Sequence, residues 1–238
     1  MRFLFKALTT LVVVVFALLG YAYFTLPDVR PLKTTNPKTT AFMDLRDAQA
    51  RAKGRPPRRI QHWVRYAQIS PSLTRAVLVA EDDAFWQHQG IDYQQLQESL
   101  QKDWALGRFA RGGSTITQQL AKNLYLSPSK DPMRKLRELF ITRRLEAELK
   151  KARILELYLN VIEWGDGIYG ADAAARAYFS IPASDLTPSQ AALLAAAIIN
   201  PRRMNPARPS AGHVRRQQLI LRRMGEQSLP EQTAQLER

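Results

Sequence analysis

The feature that most restricts the structure of this chain is an uncharged apolar run near its N-terminus, from Ala7 to Leu26. A helix of about 20 such residues spans the hydrocarbon core of a bilayer. Arg2 and Lys6 precede the run, and cations on that side predict a cytoplasmic N-terminus, with the chain after Pro27 outside the cytoplasm. A cleaved signal peptide is the alternative, but no convincing small-x-small site precedes Pro27, so we expect a retained anchor.

The charge of the chain indicates an anionic partner. The formal net charge is +14 and the pI about 10.4, which suits nucleic acid, an anionic membrane surface or a phosphorylated substrate. An anchor that places the basic residues outside the cytoplasm disfavours nucleic acid. The chain has no cysteine, so neither a disulfide framework nor thiol chemistry is available to it.

Composition divides the chain into five segments. We expect a cytoplasmic N-terminus at 1–6, a transmembrane helix at 7–26, a juxtamembrane linker at 27–59, one globular domain at 60–225 and a C-terminal tail at 226–238. The linker holds one short helical pattern, Met43 to Ala52. Its basic residues form either a solvated face or a contact for anionic lipid headgroups: Arg51, Lys53, Arg55, Arg58 and Arg59.

Helical patterns dominate the domain and strand signals are poor, so the expected fold class is mainly α. Helices are predicted at 73–84 with Ser72 as the cap, at 92–111, at 134–160 with a break near Lys150, at 188–200 with Thr187 as the cap, and at 211–224 with Ser210 as the cap. The helix at 188–200 is apolar all round, which predicts a buried core helix that is too short to be a second membrane span.

A cluster of acids forms the first candidate site. Glu81, Asp82 and Asp83 follow the apolar run 76–80 and precede a turn at Gly90. A buried helix that ends there holds a carboxylate at the edge of a cleft. The alternative is an acidic helix C-terminus without a function, although carboxylates are mildly unfavourable at the negative end of a helix dipole. The local pattern leaves both interpretations open.

The second candidate site is the segment 111–122, RGGSTITQQLAK. Thr115 and Gln118 fit a capping box, and a helix N-terminus with nearby cations suits phosphate groups. Capping alone does not explain the pair Gln118-Gln119 with Lys122 one turn later. The chain lacks the GxxxxGK[ST] nucleotide loop, so this segment is not a nucleotide P-loop.

Five short patterns occur in a fixed order: Glu81-Asp82-x-x-Phe85-x-x-His88-x-Gly90; Gly112-Gly113-Ser114-Thr115-Ile116-Thr117-Gln118-Gln119; Arg134-Lys135-x-x-Glu138; Lys151-x-x-Ile154-Leu155-Glu156-x-Tyr158-Leu159-Asn160; and Gly170-x-x-x-Ala174-Ala175-x-x-Tyr178-Phe179. Together they resemble the five motifs of the peptidoglycan glycosyltransferases, glycosyltransferase family 51. The resemblance covers about residues 60–224, and no penicillin-binding domain follows it, as in the monofunctional members. It implies a lysozyme-like fold with a large and a small lobe.

The resemblance also implies a reaction, the polymerisation of lipid II into glycan strands. Glu81 would be the base that acts on the 4-hydroxyl of the acceptor N-acetylglucosamine. The growing chain on undecaprenyl pyrophosphate would be the donor, with inversion at the anomeric carbon. Glu138 would be a second functional carboxylate that supports the departing pyrophosphate. The spacing of Glu138 from Arg134 and Lys135, taken without the motif, favours a surface ion pair worth about 0.5 kcal/mol.

The residues expected to bind pyrophosphate or sugar are Ser114, Gln118, Gln119, Lys122, Lys130, Arg134, Lys135 and Arg137. Lys130 followed by Asp131 is a departure, because the family usually has an Arg-Ser pair there. Lysine keeps the charge but loses the bidentate fork of arginine. In the family the region equivalent to 92–111 lies near the membrane, so Trp104 and Phe109 are either core residues or contacts with lipid.

No metal-binding motif is present, since His62, His88 and His213 are dispersed along the chain. We expect His88 to make a structural hydrogen bond and expect no certain cofactor, with a divalent cation, Mg²⁺ or Mn²⁺, left open. The expected partners are lipid II and the growing glycan chain, the membrane, and other cell-wall synthesis or division proteins, but no nucleic acid. The expected location is the bacterial inner membrane, with a single span and a periplasmic catalytic domain.

Two other functions remain open at this stage. A lysozyme-like lytic enzyme would use the same acids to cleave glycan, because both reactions pass through an oxocarbenium-like transition state. The cations near the second and third motifs separate the two, since a neutral glycan does not require them. A non-catalytic membrane-anchored scaffold is the other alternative, and it would leave the clustered acids without a role.

Overall fold

The computed structural model describes residues 2–106, 113–126 and 132–226. The fold is mainly α, as predicted. The helices are α1 (Arg2–Phe24), α2 (Ala41–Ala52), α3 (Pro71–Glu81), α4 (Tyr93–Leu106), α5 (Ile116–Tyr125), α6 (Pro132–Glu148), α7 (Lys151–Val161), α8 (Ala171–Phe179), α9 (Pro188–Ala197) and α10 (Ala211–Glu226). The strands are β1 (Ile60–Gln61), β2 (Glu163–Gly165) and β3 (Ile168–Tyr169).

Helix α1 is long and apolar enough to cross a membrane. Its span Phe5–Phe24 has 20 residues and a mean hydropathy of 2.1, and only 6% of its most apolar window is buried. The end of α1 docks on α6. There Arg137 donates to the carbonyl of Thr25 at 2.9 Å, and the Arg144 guanidinium lies 4.9 Å from the centre of the Tyr23 ring. These cations lie where a helix leaves unpaired carbonyls and negative partial charge.

The segment 27–59 packs against the domain, although its composition predicts a linker. Val29, Leu32 and Met43 are buried in the main core. Arg153 of α7 donates to the carbonyl of Leu32 at 2.8 Å and so fixes this segment to the domain. The helix predicted from Met43 begins two residues earlier, because the Thr40 side chain accepts from the Met43 amide and caps it.

Helix α3 packs against α9 and α10 and carries the acidic cluster at its end. It begins at Pro71 rather than at the predicted Leu73, because Ser70 is the cap and proline suits the first turn. It ends at Glu81 rather than at Ala84, because Asp82 has an extended φ of −166°. The α3 terminus therefore places its last side chain, that of Glu81, at a change of chain direction.

The remaining helix predictions hold in outline. The predicted break near Lys150 separates α6 from α7, and the capping box at Thr187 begins α9. Helix α9 is buried on all sides, since its alanines allow the neighbouring helices to approach closely. The Ser210 hydroxyl accepts from the His213 amide at 3.3 Å and caps α10. The segment predicted as helix 92–111 is helical from Tyr93 to Leu106, and Phe109 lies outside the described residues.

A small sheet joins the chain before α3 to the hairpin after α7. Its strand order is β1-β3-β2, with β1 parallel to β3 and β2 antiparallel to β3. The hairpin turns at Gly167, whose φ of +69° favours glycine. A Cβ at that position would lie 2.6 Å from the carbonyl oxygen of Arg58, so the turn packs directly on the preceding chain.

Candidate active site

A cleft of about 760 Å³ opens at the C-terminal end of α3. Its walls are the end of α3, residues 113–114, one face of α5, the end of α9 and one face of α10. The charged and polar side chains that line it are Glu81, Asp82, Asp83, Gln95, Ser114, Gln119, Lys122, Arg216 and Arg223. The cleft therefore combines carboxylates with three cations.

Glu81 is held at the cleft edge by a chain of two hydrogen bonds. Tyr158, which is fully buried, donates its hydroxyl to Gln119 Oε1 at 2.9 Å, and Gln119 Nε2 donates to Glu81 Oε2 at 3.0 Å. Burial raises the pKa of the Tyr158 phenol well above its ordinary value, so the phenol stays protonated and acts as the donor. This donor fixes the orientation of the Gln119 amide and turns its N–H towards Glu81.

The surroundings of Glu81 raise the pKa of its carboxyl group. Burial raises its pKa, and the Gln119 hydrogen bond followed by the charges of Arg216 and Lys122 opposes this rise, while the charge of Asp82 adds to it. A carboxylate with a raised pKa is a stronger base than an exposed one. Its side chain is only 14% exposed, yet it lines the cleft.

Asp82 connects the end of α3 to the start of α5. Its Oδ2 accepts from the Ile116 amide at 2.8 Å, and its Oδ1 lies 2.8 Å from His88 Nε2. The Gly90 amide donates to His88 Nδ1, so Nε2 carries the proton that Asp82 accepts. The structural hydrogen bond predicted for His88 is thus present, and both carboxylate oxygens of Asp82 brace the chain beside the cleft.

One group of possible metal ligands lies beside the cleft. Single atoms of Asp82, His88 and Asp92 are within 4.8 Å of one another. The hydrogen bonds of Asp82 and His88 already account for their approach, and Asp92 Oδ1 accepts from the Gln95 amide at 2.8 Å. These donors are engaged by the protein and do not form a ready site for Mg²⁺ or Mn²⁺.

Residues of the second motif have two roles: some cap helix α5, and others line the cleft. Thr115 and Gln118 form the predicted capping box of α5, with Gln118 Oε1 accepting from the Thr115 amide at 3.0 Å. Gln118 is buried in this role. Ser114 and Lys122 are exposed and line the cleft with Gln119. The adjacent glutamines therefore act differently, because successive helix positions point about 100° apart.

The third motif forms a separate cluster on α6. Glu138 is buried, and it pairs with Arg134 at 2.8 Å and with Lys135 at 2.5 Å. None of the three lines the cleft described above. Arg137 points to the end of α1, and Lys130 lies outside the described residues. The structure thus brings four predicted residues, Glu81, Ser114, Gln119 and Lys122, together at the cleft and places four others on α6.

Sequence reasoning missed two cations of the cleft, both on α10. Arg216 Nη2 lies 3.8 Å from Glu81 Oε1, and Arg223 Nη2 lies 3.0 Å from Asp83 Oδ2. The Nε of Arg216 is buried and has no hydrogen-bond partner among the residues that the structure describes. The signal that could have found them is their spacing, since residues seven apart lie on one helix face.

Comparison with known proteins identifies the family of the chain. A family model described as "Transglycosylase" matches residues 49–225. The chain belongs to the transglycosylase family. The matched part of this transglycosylase begins within α2, before the domain start predicted from composition. The lysozyme-like fold expected from the five motifs is consistent with the family.

Named relatives cover most of the chain. A protein of Laribacter hongkongensis is 48% identical over 199 residues, 83% of this transglycosylase and 87% of the relative. One of Aromatoleum aromaticum is 54% identical over 169 residues, 71% and 73% of the two chains. One of Chromobacterium violaceum is 44% identical over 230 residues, 96% and 99% of the two chains. Each is named "Biosynthetic peptidoglycan transglycosylase".

Proposed function

We propose that this transglycosylase polymerises lipid II into the linear glycan strands of peptidoglycan. The names of its relatives support peptidoglycan synthesis as the process. The observation that carries the proposal for the site is the placement of Glu81, which the Tyr158–Gln119 pair orients at the edge of a cationic cleft.

In the proposed reaction Glu81 accepts the proton of the acceptor's 4-hydroxyl as that oxygen attacks the anomeric carbon of the donor. The new C–O bond forms as the bond to the pyrophosphate breaks, and undecaprenyl diphosphate leaves with the electron pair. Attack from the face opposite the leaving group inverts the anomeric centre. A base must be deprotonated before it can act, so activity falls as pH falls through the pKa of Glu81.

The charge of the cleft supports synthesis over lysis. A departing pyrophosphate develops negative charge that cations stabilise, whereas cleavage of a neutral glycan releases no anion. Lys122, Arg216 and Arg223 supply such cations around Glu81. Cleavage of preformed glycan is the second candidate function, favoured only by the lysozyme-like fold.

We assign Glu138 a positioning role. Its two oxygens hold Arg134 and Lys135 in a fixed arrangement, which would present both cations to a pyrophosphate without loss of side-chain entropy on binding. Both oxygens are already occupied by these cations, so Glu138 does not fit as a metal ligand. No step of the proposed reaction is therefore routed through a divalent cation.

The anchor agrees with a substrate that is itself a lipid. We place α1 in the bacterial inner membrane with its N-terminus in the cytoplasm, because Arg2 and Lys6 precede the apolar span. The catalytic domain then lies in the periplasm, where α6 meets the end of the span. Other cell-wall synthesis or division proteins are proposed partners at the same membrane.

Polymerisation of labelled lipid II by the full-length protein in detergent tests the proposal. The wild type should form polymer, and Glu81→Gln should form none at an unchanged melting temperature or a higher one. Glu148→Gln is the matched control, because Glu148 pairs with Lys33 at the surface, lies outside the cleft and should retain full activity. Shortening of preformed glycan without polymer formation would indicate the lytic function, and inactivity on both substrates would indicate a scaffold.

A further inference from the structure

A second, smaller cavity lies between α2, the chain that follows it and the β2–β3 hairpin. Its volume is about 90 Å³. It shares no lining residue with the cleft that holds Glu81. The reaction proposed above makes no use of it, so an inference about it stands independently of that function.

The floor of this cavity contains two buried polar atoms without a partner. They are Oε1 of Glu163 and the hydroxyl of Tyr169, and neither has a hydrogen-bond partner within the described part of the chain. Glu163 is 5% exposed and Tyr169 is 0% exposed. Arg46 binds only the other oxygen of Glu163, with Nε at 3.1 Å and Nη2 at 2.7 Å. A buried polar atom without a hydrogen bond destabilises the fold, so a site with two such atoms favours a bound ligand or ordered water.

The rim of the cavity carries three exposed cations, Lys53, Arg55 and Arg58. Among the residues described by the structure, none of the three forms an ion pair. The neighbouring arginines differ, since Arg59 pairs with Asp44 and Asp47, and Arg202 pairs with Asp166. The rim therefore has positive charge that the protein does not neutralise.

Backbone contacts hold the floor and the rim together. The Ile60 amide donates to the carbonyl of Gly167 at 2.8 Å, and the turn at Gly167 packs on Arg58. At the other end, α2 ends at Ala52, the chain turns at Gly54, whose φ is +67°, and the Arg55 amide returns to the carbonyl of Ala50 at 3.0 Å. The two halves of the cavity therefore keep their spacing before any ligand arrives, which lowers the entropy cost of binding.

The chemistry of the two halves defines the ligand. Glu163 Oε1 and the Tyr169 oxygen accept hydrogen bonds, and a carboxylate oxygen pairs best with a cationic donor. The rim favours an anion. A simple anion would leave the floor unpaired and approach the Glu163 carboxylate, whereas a simple cation would leave the rim unpaired.

We propose that this cavity binds a small zwitterion, the head group of an α-amino acid. Its ammonium group lies on Glu163 and Tyr169, and its carboxylate faces Lys53, Arg55 and Arg58. An α-amino acid carries both charges within one small molecule, so a single ligand satisfies the floor and the rim together. The site is new with respect to the peptidoglycan chemistry proposed for the cleft.

Calorimetric titration of the full-length protein in detergent tests this proposal. Alanine is the zwitterion, and acetate, ethylammonium and N-acetylalanine are the partial ligands, all at one ionic strength. Alanine should bind with a Kd on the order of 1 mM, as expected for a small ligand with few contacts. Each partial ligand should bind at least about tenfold more weakly, because it lacks one charge.

Variants separate the floor from the rim. Tyr169→Phe removes only the hydroxyl and should weaken alanine binding about fivefold. Arg58→Gln should weaken it as well, whereas Arg203→Gln, an exposed arginine outside the cavity, should not. Melting temperatures verify that each variant folds, and Glu163→Gln, which keeps the shape of the side chain, replaces Tyr169→Phe if that variant is unfolded.

Three results would overturn the proposal. Acetate that binds as tightly as alanine would make the cavity an anion patch. Equal binding of alanine to the wild type and to the floor variants would place the ligand elsewhere. Absence of any binding heat at about ten times the expected Kd would mean that water alone satisfies Glu163 and Tyr169.

Discussion

Loss of the hydrogen bond from Tyr158 to Gln119 should slow the reaction by an amount set by the strength of the bond that Gln119 makes to Glu81. Tyr158→Phe removes the donor at 2.9 Å from Gln119 Oε1 and leaves the volume of the core unchanged. The amide then loses its fixed orientation, and its hydrogen bond to Glu81 weakens. A hydrogen bond to a charged group contributes about 1.5–3 kcal/mol. Loss of the lower figure reduces kcat/KM about tenfold.

The sign of the accompanying pH effect follows from the same contact. The Gln119 hydrogen bond lowers the pKa of Glu81 against the larger, raising effect of burial. Its loss raises that pKa further, so a higher pH is needed to deprotonate the base. The acid limb of the kcat/KM profile therefore moves to higher pH in Tyr158→Phe, and much of the lost activity returns on the alkaline side.

The assay is lipid II polymerisation as a function of pH, with Tyr178→Phe as the control. Tyr178 donates its hydroxyl to the carbonyl of Trp164 at 3.2 Å and does not contact Glu81. Both variants should lose similar stability, but only Tyr158→Phe should shift the acid limb. An unshifted limb in a folded Tyr158→Phe, or a rate reduced equally at every pH, would refute the orienting role.

Three further predictions concern the same region. Because burial raises the pKa of Glu81, the folded state loses stability as pH rises through that pKa. Glu81→Gln should therefore have a higher melting temperature than the wild type at about pH 7.5, and the difference in melting temperature should vanish in acid. A lower melting temperature for Glu81→Gln at about pH 7.5 would contradict this. Arg223→Gln should raise the KM for lipid II about fivefold, as loss of a partly exposed cation worth ~1 kcal/mol, while Arg222→Gln, outside the cleft, should leave KM unchanged. Gly90→Ala should lower the free energy of unfolding by about 2 kcal/mol, because φ is +83° and the new Cβ would lie 2.6 Å from Thr142. Gly54→Ala, where the new Cβ would meet no atom within 4 Å, should lower it by about 1 kcal/mol. Chemical denaturation measures both values, and equal effects would disprove the clash.

Local signals in the sequence predicted the parts of the fold that depend on near neighbours. The capping boxes at Thr115 and Thr187 lie within four residues of chain, so they can be recognised without tertiary information. The predicted start of α3 was wrong by two residues. Both Ser70 and Ser72 can cap a helix, and Pro71, which suits the first helical position, makes Ser70 the cap.

Contacts between distant parts of the chain could not be predicted. Burial of Val29 and Leu32 depends on α7, more than a hundred residues away, so composition alone predicted a linker. The approach of Arg216 to Glu81 likewise depends on how α10 packs on α3. The different roles of Gln118 and Gln119 depend on which face of α5 meets the core. Two adjacent, identical residues in the sequence do not indicate which of them faces the cleft.

In the membrane placement proposed for α1, the docking of α1 on α6 would determine how the domain approaches a lipid substrate. A flexible tether would let the catalytic domain move over several nanometres, with a reach that grows as the square root of its length. The carbonyls of Tyr23 and Thr25 at the end of α1 accept from Arg144 and Arg137 of α6, so with α1 in the bilayer α6 would keep a fixed height above it. A lipid confined to the same bilayer carries its headgroup at a nearly constant height. Encounter between the two then becomes a two-dimensional search along the membrane, in which depth is already matched.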